Sequence, residues 1–193
     1  MTIPNLVSPQ WLFEHLGDER LIILDASPRS NVSNLVADFP ELQIKNARYF
    51  DMEEVFYDTQ SILPNMFPNS ESFQDAAQKL GIHKDSIIVV YDNLGIYTAP
   101  RAWWMLKSMG LGNVGVLDGG LTAWKRNGYA CEAKQQKEYT KGTFEAHYNS
   151  NQVCDAELVL QNLDNKEIMI IDARSPGRFS GSDPEPRPNM QSG

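Results

Sequence analysis

Residues 87–109 decide the fold, and they read IIVVYDNLGIYTAPRAWWMLKSM. The first five residues form a continuous apolar run, which is typical of a parallel strand buried on both faces. A short loop then leads into residues 98–109, whose spacing predicts a helix that ends at Gly110. This succession of strand, loop and helix is the unit from which α/β domains are built.

The same unit recurs on both sides of this stretch. Residues 21–24 and 114–117 are further short apolar runs, and helical patterns lie between the runs. Strands that alternate with helices favour parallel pairing through right-handed crossovers. The sequence therefore predicts an α/β layered domain over residues 4–133, with a mainly parallel sheet and helices on both faces.

An internal repeat is visible when the sequence is compared with itself at an offset of 147 positions. Residues 7–27 then align without a gap to residues 154–174, and Asp25-Ala26 lies opposite Asp172-Ala173. A chance match is the alternative to duplication. Duplication predicts a polar linker over residues 134–153 and a second copy over residues 154–193. That copy has too few residues to be complete, so we expect a truncated chain.

Composition excludes several functional classes. The net charge of -8 at pH 7 argues against nucleic acid or an anionic membrane as the main partner. The apolar runs are far shorter than the ~20 residues that span a bilayer, and the amino terminus lacks a secretory signal, so we expect a cytoplasmic protein. Cys131, Cys154 and the three histidines have no metal-ligand spacing, so no metal or other cofactor is expected.

One candidate functional loop spans residues 92–98, between the central strand and its helix. Anions bind at such helix N-termini, but this loop contains no cysteine. We therefore expect Asp92 and Thr98 to accept the helix N–H groups. Arg101, Trp103 and Trp104 are expected to pack the domain.

The other candidate loop spans residues 172–187. It contains Arg174, Arg178 and Arg187 among glycines and prolines. Guanidinium groups suit carboxylates and sulfur oxyanions because they bind them through two parallel hydrogen bonds. Spacing alone leaves two interpretations open: these arginines bind an anionic substrate, or they pair with Asp183 and Glu185.

Four stretches resemble the two-domain rhodanese-like sulfurtransferases, and more closely the 3-mercaptopyruvate sulfurtransferases. They are residues 22–27, 98–106, 117–124 and 172–187, so the resemblance spans nearly the whole chain. Its most specific elements are Gly177-Arg178-Phe179 and Glu185-Pro186-Arg187. The resemblance implies a rhodanese-like fold, a catalytically silent first domain with Asp92 in place of a cysteine, and Arg178 and Arg187 as substrate-binding residues.

The activity that the resemblance implies is transfer of sulfane sulfur through a cysteine persulfide, without a metal. The donor is a small anion, 3-mercaptopyruvate or thiosulfate, and the acceptor is a thiol or cyanide. Neither Cys131 nor Cys154 stands where the family has its nucleophile, so the chain alone is expected to be inactive. The alternative is a non-catalytic rhodanese-like binding or regulatory module.

Overall fold

The central sheet contains five strands, and all neighbouring strands in it are parallel. The computed structural model describes residues 3–31, 33–63 and 65–185. Across the sheet the strands lie in the order β1 (Leu6–Val7), β6 (Val114–Leu117), β5 (Ile87–Tyr91), β2 (Leu21–Asp25) and β4 (Arg48–Tyr49). The predicted α/β class with a mainly parallel sheet is confirmed.

Helices cover both faces of this sheet because successive strand side chains point in opposite directions. The helices are α1 (Pro9–Glu14), α2 (Ser70–Lys79), α3 (Ala99–Ser108) and α4 (Gly120–Arg126). Leu24 and Val90 belong to the apolar core under α2 and α3. Ile23 and Val89 belong to the core on the opposite face, with α1 and α4. The continuous apolar runs are thus buried on both sides.

A second, smaller sheet pairs β3 (Leu42–Ile44) with β7 (Cys131–Ala133) in antiparallel register. The Gln43 side chain donates a hydrogen bond to Glu132 Oε1 across it, at 3.0 Å. The sequence did not predict this sheet, because strands of three residues are too short to show a period.

Residues 134–149 pack against the domain instead of lying free as part of a linker. The Phe144 side chain is 2% exposed and belongs to the core under α2 and α3. Backbone hydrogen bonds from Gly142 N to Gln78 O (2.8 Å) and from His147 N to Met109 O (2.9 Å) hold the segment in place. A Cβ at Gly142 would lie 2.0 Å from the Ile82 carbonyl oxygen, so this close approach needs glycine.

The chain divides into two compact units, Met1–Asn149 and Ser150–Gly193. The second unit contains a 3₁₀ turn (Ser150–Gln152) and the helices α5 (Ala156–Gln161) and α6 (Pro176–Phe179). Its apolar residues 168–171 form no strand within the described part of the unit, and their side chains are 48–84% exposed. The boundary between the two units follows Asn149, near the end of the predicted linker over residues 134–153.

Local hydrogen bonds in the second unit repeat those of the first unit at the offset of 147 residues. Helices α1 and α5 each have six residues and begin at equivalent positions. At three pairs of equivalent positions, a side-chain oxygen accepts a hydrogen bond from the backbone N–H two or three residues later. The pairs are Ser8 and Asp155, Asp18 and Asn165, and Asp25 and Asp172. The two segments thus share one helix start and three side-chain hydrogen bonds at this offset, whereas residues 168–171 form no strand like that of residues 21–25.

Candidate active-site loops

The loop between β5 and α3 is organised around the buried carboxylate of Asp92. Its Oδ2 accepts hydrogen bonds from the backbone N–H groups of Tyr97, Thr98 and Ala99 at 2.8–2.9 Å. Its Oδ1 accepts a fourth from Leu94 at 2.9 Å. Converging backbone amides at a helix N-terminus form an anion site. Here that site is filled by an anion from the chain itself, as the sequence predicted for Asp92.

Thr98 does not accept helix N–H groups, so that part of the prediction is wrong. Its hydroxyl donates to the Ala26 carbonyl oxygen at 2.7 Å, which ties the start of α3 to the end of β2. The reason is that the first helix amides have other acceptors: Asp92 accepts the Ala99 N–H, and the Thr98 backbone carbonyl accepts the Arg101 N–H at 3.0 Å. The other predicted packing contacts are present: Trp103 donates to Val114 O at 2.9 Å, and Arg101 donates to Asn65 O.

The glycine pair that follows β6 lets α4 approach this loop closely. Gly119 and Gly120 have φ values of 68° and 55°, in the left-handed region that favours glycine. A Cβ on Gly120 would lie 2.3 Å from the Asp92 carbonyl oxygen. That oxygen also accepts the Leu121 N–H at 3.0 Å. The loop is therefore fixed by its own side chain and by the next helix.

A second buried carboxylate, Asp25, lies at the end of the neighbouring strand β2. Its Oδ1 accepts hydrogen bonds from the backbone N–H of Ser27 (2.9 Å) and from the Ser27 hydroxyl. Ser27 Oγ in turn accepts the Asn93 N–H at 3.0 Å, so the network joins the ends of β2 and β5. Sequence reasoning missed this network. The available signal was an aspartate directly after an apolar run at the edge where parallel strands end.

The pKa of the Asp25 carboxyl is raised by burial, although hydrogen bonds from Ser27 and Tyr91 act in the opposite direction. The folded protein therefore takes up this proton more readily than the unfolded chain does. The resulting stabilisation is fully present below the ordinary value of 3.8 and is lost as pH rises through the folded pKa.

Asp25→Asn removes this titration and tests it. We expect the free energy of unfolding of the wild type, minus that of the variant, to increase as pH falls from about 7 to about 4. Urea unfolding at several pH values, followed by tryptophan fluorescence, measures this difference. A difference that is constant with pH would contradict the raised pKa.

The arginine loop of the second unit is folded around α6. Ser175 caps this helix, and the chain turns back so that Asp183 N donates to Gly177 O at 3.0 Å. A Cβ on Gly177 would lie 2.0 Å from the Asp183 carboxylate, so a larger residue here would require the Asp183 side chain to move.

Arg178 pairs with Glu185 within this loop. Glu185 Oε2 accepts hydrogen bonds from Arg178 Nε (3.2 Å) and Nη2 (2.5 Å), and its Oε1 accepts one from Arg174 Nη1 (3.1 Å). Hydrogen bonds from Arg178 hold the pKa of the Glu185 carboxyl below its usual range. Of the two acids that the sequence offered as partners, Glu185 pairs with arginine, whereas Asp183 makes no ion pair with a described residue. Arg187 lies outside the described residues.

Neither cysteine lies in the loop after a strand of the main sheet. Cys131 is in β7, and burial raises the pKa of its thiol. Cys154 is exposed and precedes the cap of α5. Within residues 3–31, 33–63 and 65–185, no group of three or more His, Cys, Asp or Glu side chains could hold a metal ion. No helix in these ranges is long and apolar enough to cross a membrane.

Comparisons with known proteins agree with this architecture. The Rhodanese-like domain family matches residues 8–127. The 3-mercaptopyruvate sulfurtransferase of Escherichia coli (strain K12) is 36% identical over 196 residues, which cover 100% of this chain and 69% of that protein. The thiosulfate sulfurtransferase of Mus musculus is 36% identical over 188 residues, which cover 94% of this chain and 63% of that protein.

A solved structure extends the similarity to the fold. The crystal structure of the Tum1 protein from Saccharomyces cerevisiae superposes with a TM-score of 0.83 at 30% identity, and covers 99% of this chain and 68% of that one. The match thus includes both the sheet with its Asp92 loop and the arginine loop. The chain therefore belongs to the rhodanese-like family, and it is homologous over its full length to 3-mercaptopyruvate sulfurtransferases.

Proposed function

We propose that this chain functions in a sulfurtransferase, an enzyme that moves sulfane sulfur from 3-mercaptopyruvate or thiosulfate to a thiol or cyanide. The observation that carries the proposal is the 36% identity to a 3-mercaptopyruvate sulfurtransferase along the whole chain. Thiosulfate stays in the proposal because a thiosulfate sulfurtransferase is similar to the same extent. In this reaction a cysteine thiolate attacks the donor's outer sulfur and forms a persulfide. This step releases sulfite from thiosulfate, or it releases from 3-mercaptopyruvate the enolate of pyruvate, which then takes up a proton. Cyanide or a thiolate then attacks the outer sulfur of the persulfide, which gives thiocyanate or a new persulfide and restores the cysteine thiolate.

We propose further that the first unit is catalytically silent. A persulfide carrier needs a thiolate at the amide-lined helix N-terminus, where the anion is stabilised. In this unit that place is taken by Asp92, whose carboxylate already accepts four amide hydrogen bonds. A carboxylate cannot carry sulfane sulfur, so the contribution of this unit is structural.

The second unit, in this proposal, begins another rhodanese-like copy and recognises the donor. Its local hydrogen bonds repeat those of the first unit, which supports a common origin of the two segments. Arg178 and Arg187 would hold the anionic end of the donor by charge-assisted hydrogen bonds. A surface without positive charge would bind the sulfur donor weakly, because both proposed donors are anions at neutral pH.

The cysteines of the 193-residue chain are not expected to act as the sulfur carrier. Cys131 is partly buried with a raised pKa, and Cys154 precedes Asp155, whose own carboxylate accepts the free Leu158 amide at the start of α5. We therefore predict that thiocyanate formation from cyanide and either donor is no faster with this chain than with its Cys131→Ser, Cys154→Ser double variant. Faster turnover by the wild-type chain would show that one of these thiols carries sulfur.

The proposed activity is tested by supplying a nucleophile. We define the fusion protein as residues 1–193 joined to the carboxyl-terminal part of the Escherichia coli relative that the similarity does not cover. The proposal predicts thiocyanate formation by the fusion protein with at least one donor. A well-folded fusion protein that turns over neither donor would favour the non-catalytic binding module.

A further inference from the structure

Four charged side chains of the second unit form one chain of alternating sign. Asp172 accepts hydrogen bonds from Arg174 Nε and Nη2, the closest at 2.7 Å. Arg174 Nη1 reaches Glu185 Oε1 at 3.1 Å, and Glu185 Oε2 accepts from Arg178. The Glu185 side chain is only 2% exposed, whereas that of Arg178 is 32% exposed. The Arg174 side chain is 27% exposed, so the carboxylate lies between two partly exposed arginines, of which Arg174 is also anchored by Asp172.

The contact with Glu185 occupies a particular edge of the Arg178 guanidinium. Both Nε and Nη2 point their N–H groups at the same carboxylate oxygen, Oε2. Among the described residues, none accepts a hydrogen bond from Nη1 of Arg178. Since a guanidinium is planar and rigid, fixing one edge also fixes the direction of its remaining donors.

Glu185 is also held against displacement. Its other oxygen is bonded to Arg174, and Arg174 is in turn bonded to Asp172. An incoming anion that replaced Glu185 would leave a buried carboxylate without one of its two partners, which is unfavourable. An anion that binds to the Nη1 side of Arg178 leaves all four groups paired.

We propose that Glu185 is a positioning residue, which holds the Nε–Nη2 edge of Arg178 and thereby presents its Nη1 side to the carboxylate or sulfonate end of the sulfur donor. This inference rests on the proposed function, because it assumes that Arg178 binds the donor. In the alternative, the donor competes with Glu185 for the Nε–Nη2 edge of Arg178. The two models predict opposite changes in donor affinity when the Glu185 charge is removed. Removing the Glu185 charge weakens donor binding if Glu185 positions Arg178, and strengthens donor binding if Glu185 competes.

The test uses the full 193-residue chain, labelled with ¹⁵N, and two probes: pyruvate, which carries the keto-acid carboxylate, and thiosulfate. NMR titration gives the Kd of each probe for the wild type and for Glu185→Gln. We expect Glu185→Gln to raise the Kd about fivefold to tenfold, and Arg178→Ala to raise it at least about tenfold. Asp164→Asn is the matched control, because it removes one exposed negative charge from the same unit and should leave the Kd unchanged.

A second readout follows the Arg178 side chain itself. In the wild type its Nε–Hε resonance should be resolved, and it should stay in place when pyruvate is added, because the Nε edge remains on Glu185. In Glu185→Gln it should move towards the position of solvent-exposed arginines. Arg174→Gln keeps Glu185 but removes its anchor, and it should raise the Kd by a smaller factor. The backbone resonances of α5 verify that each variant is folded.

The outcomes separate the inference from the function on which it rests. A Kd that is unchanged or lower in Glu185→Gln, while Arg178→Ala loses binding, overturns the positioning role and leaves the donor site intact. Equal binding by the wild type and Arg178→Ala, or no binding of either probe by the wild type, overturns the donor site and the inference with it.

Discussion

Asp92→Ala is expected to lower the free energy of unfolding of the first unit by about 3–5 kcal/mol. The wild-type carboxylate is fully buried and accepts hydrogen bonds from four backbone amides. Alanine offers these amides no acceptor, and the variant leaves a cavity beside them. Urea unfolding followed by tryptophan fluorescence measures the loss, because all four tryptophans lie in the first unit.

Two further variants show whether this loss comes from the anion site. Asp92→Asn keeps one acceptor oxygen but gives Leu94 N no partner, so an intermediate loss of about 1–3 kcal/mol is expected. Asp118→Ala is the matched control, since Asp118 also follows a parallel strand but is exposed, and it should change stability by less than about 0.5 kcal/mol. If Asp92→Ala cost no more than this control, the amides would not depend on the carboxylate.

The main sheet could be predicted from the sequence because its strands are continuous apolar runs separated by helical patterns. A strand such as Ile87–Tyr91 is buried on both faces, and few other environments produce five consecutive large apolar residues. The position of Asp92 directly after this strand also indicated its role, since the backbone N–H groups at the start of a helix need an acceptor.

The features that the sequence missed depend on contacts between distant residues. The segment over residues 134–149 is mostly polar, and it is held by backbone hydrogen bonds and by Phe144, neither of which produces a period. The Asp25 network depends on Asn93, which is far away in the sequence and near only because β2 and β5 pair. Such proximity follows from the topology and cannot be read from local spacing.

The arginine loop shows what sequence spacing leaves undecided. Three arginines and two acids within one loop are compatible with internal ion pairs and with anion binding. In the structure Arg178 does pair with Glu185, yet its Nη1 side has no partner among the described residues. In the proposed function, donor binding uses a different edge of this guanidinium from the internal pairing, so the two interpretations do not exclude each other.

The second large effect is expected for Arg178→Ala in the fusion protein. If Arg178 holds the donor's anionic end by a charge-assisted hydrogen bond worth roughly 1.5–3 kcal/mol, kcat/KM should fall about 10- to 100-fold. Arg178→Lys should restore only part of this loss, because an ammonium keeps the charge but not the planar pair of donors. By the family resemblance, Arg187→Ala should have a similar effect.

The proposed donor site is tested most directly by kcat/KM for 3-mercaptopyruvate, measured by thiocyanate formation, in the fusion protein and in its Arg178→Ala variant. The melting temperature of each protein is recorded alongside as a control for folding. We predict a loss of about 10- to 100-fold in kcat/KM for the folded variant. Unchanged kcat/KM, with any defect confined to the melting temperature, would mean that Arg178 serves only its ion pair with Glu185, and would contradict the proposed donor site.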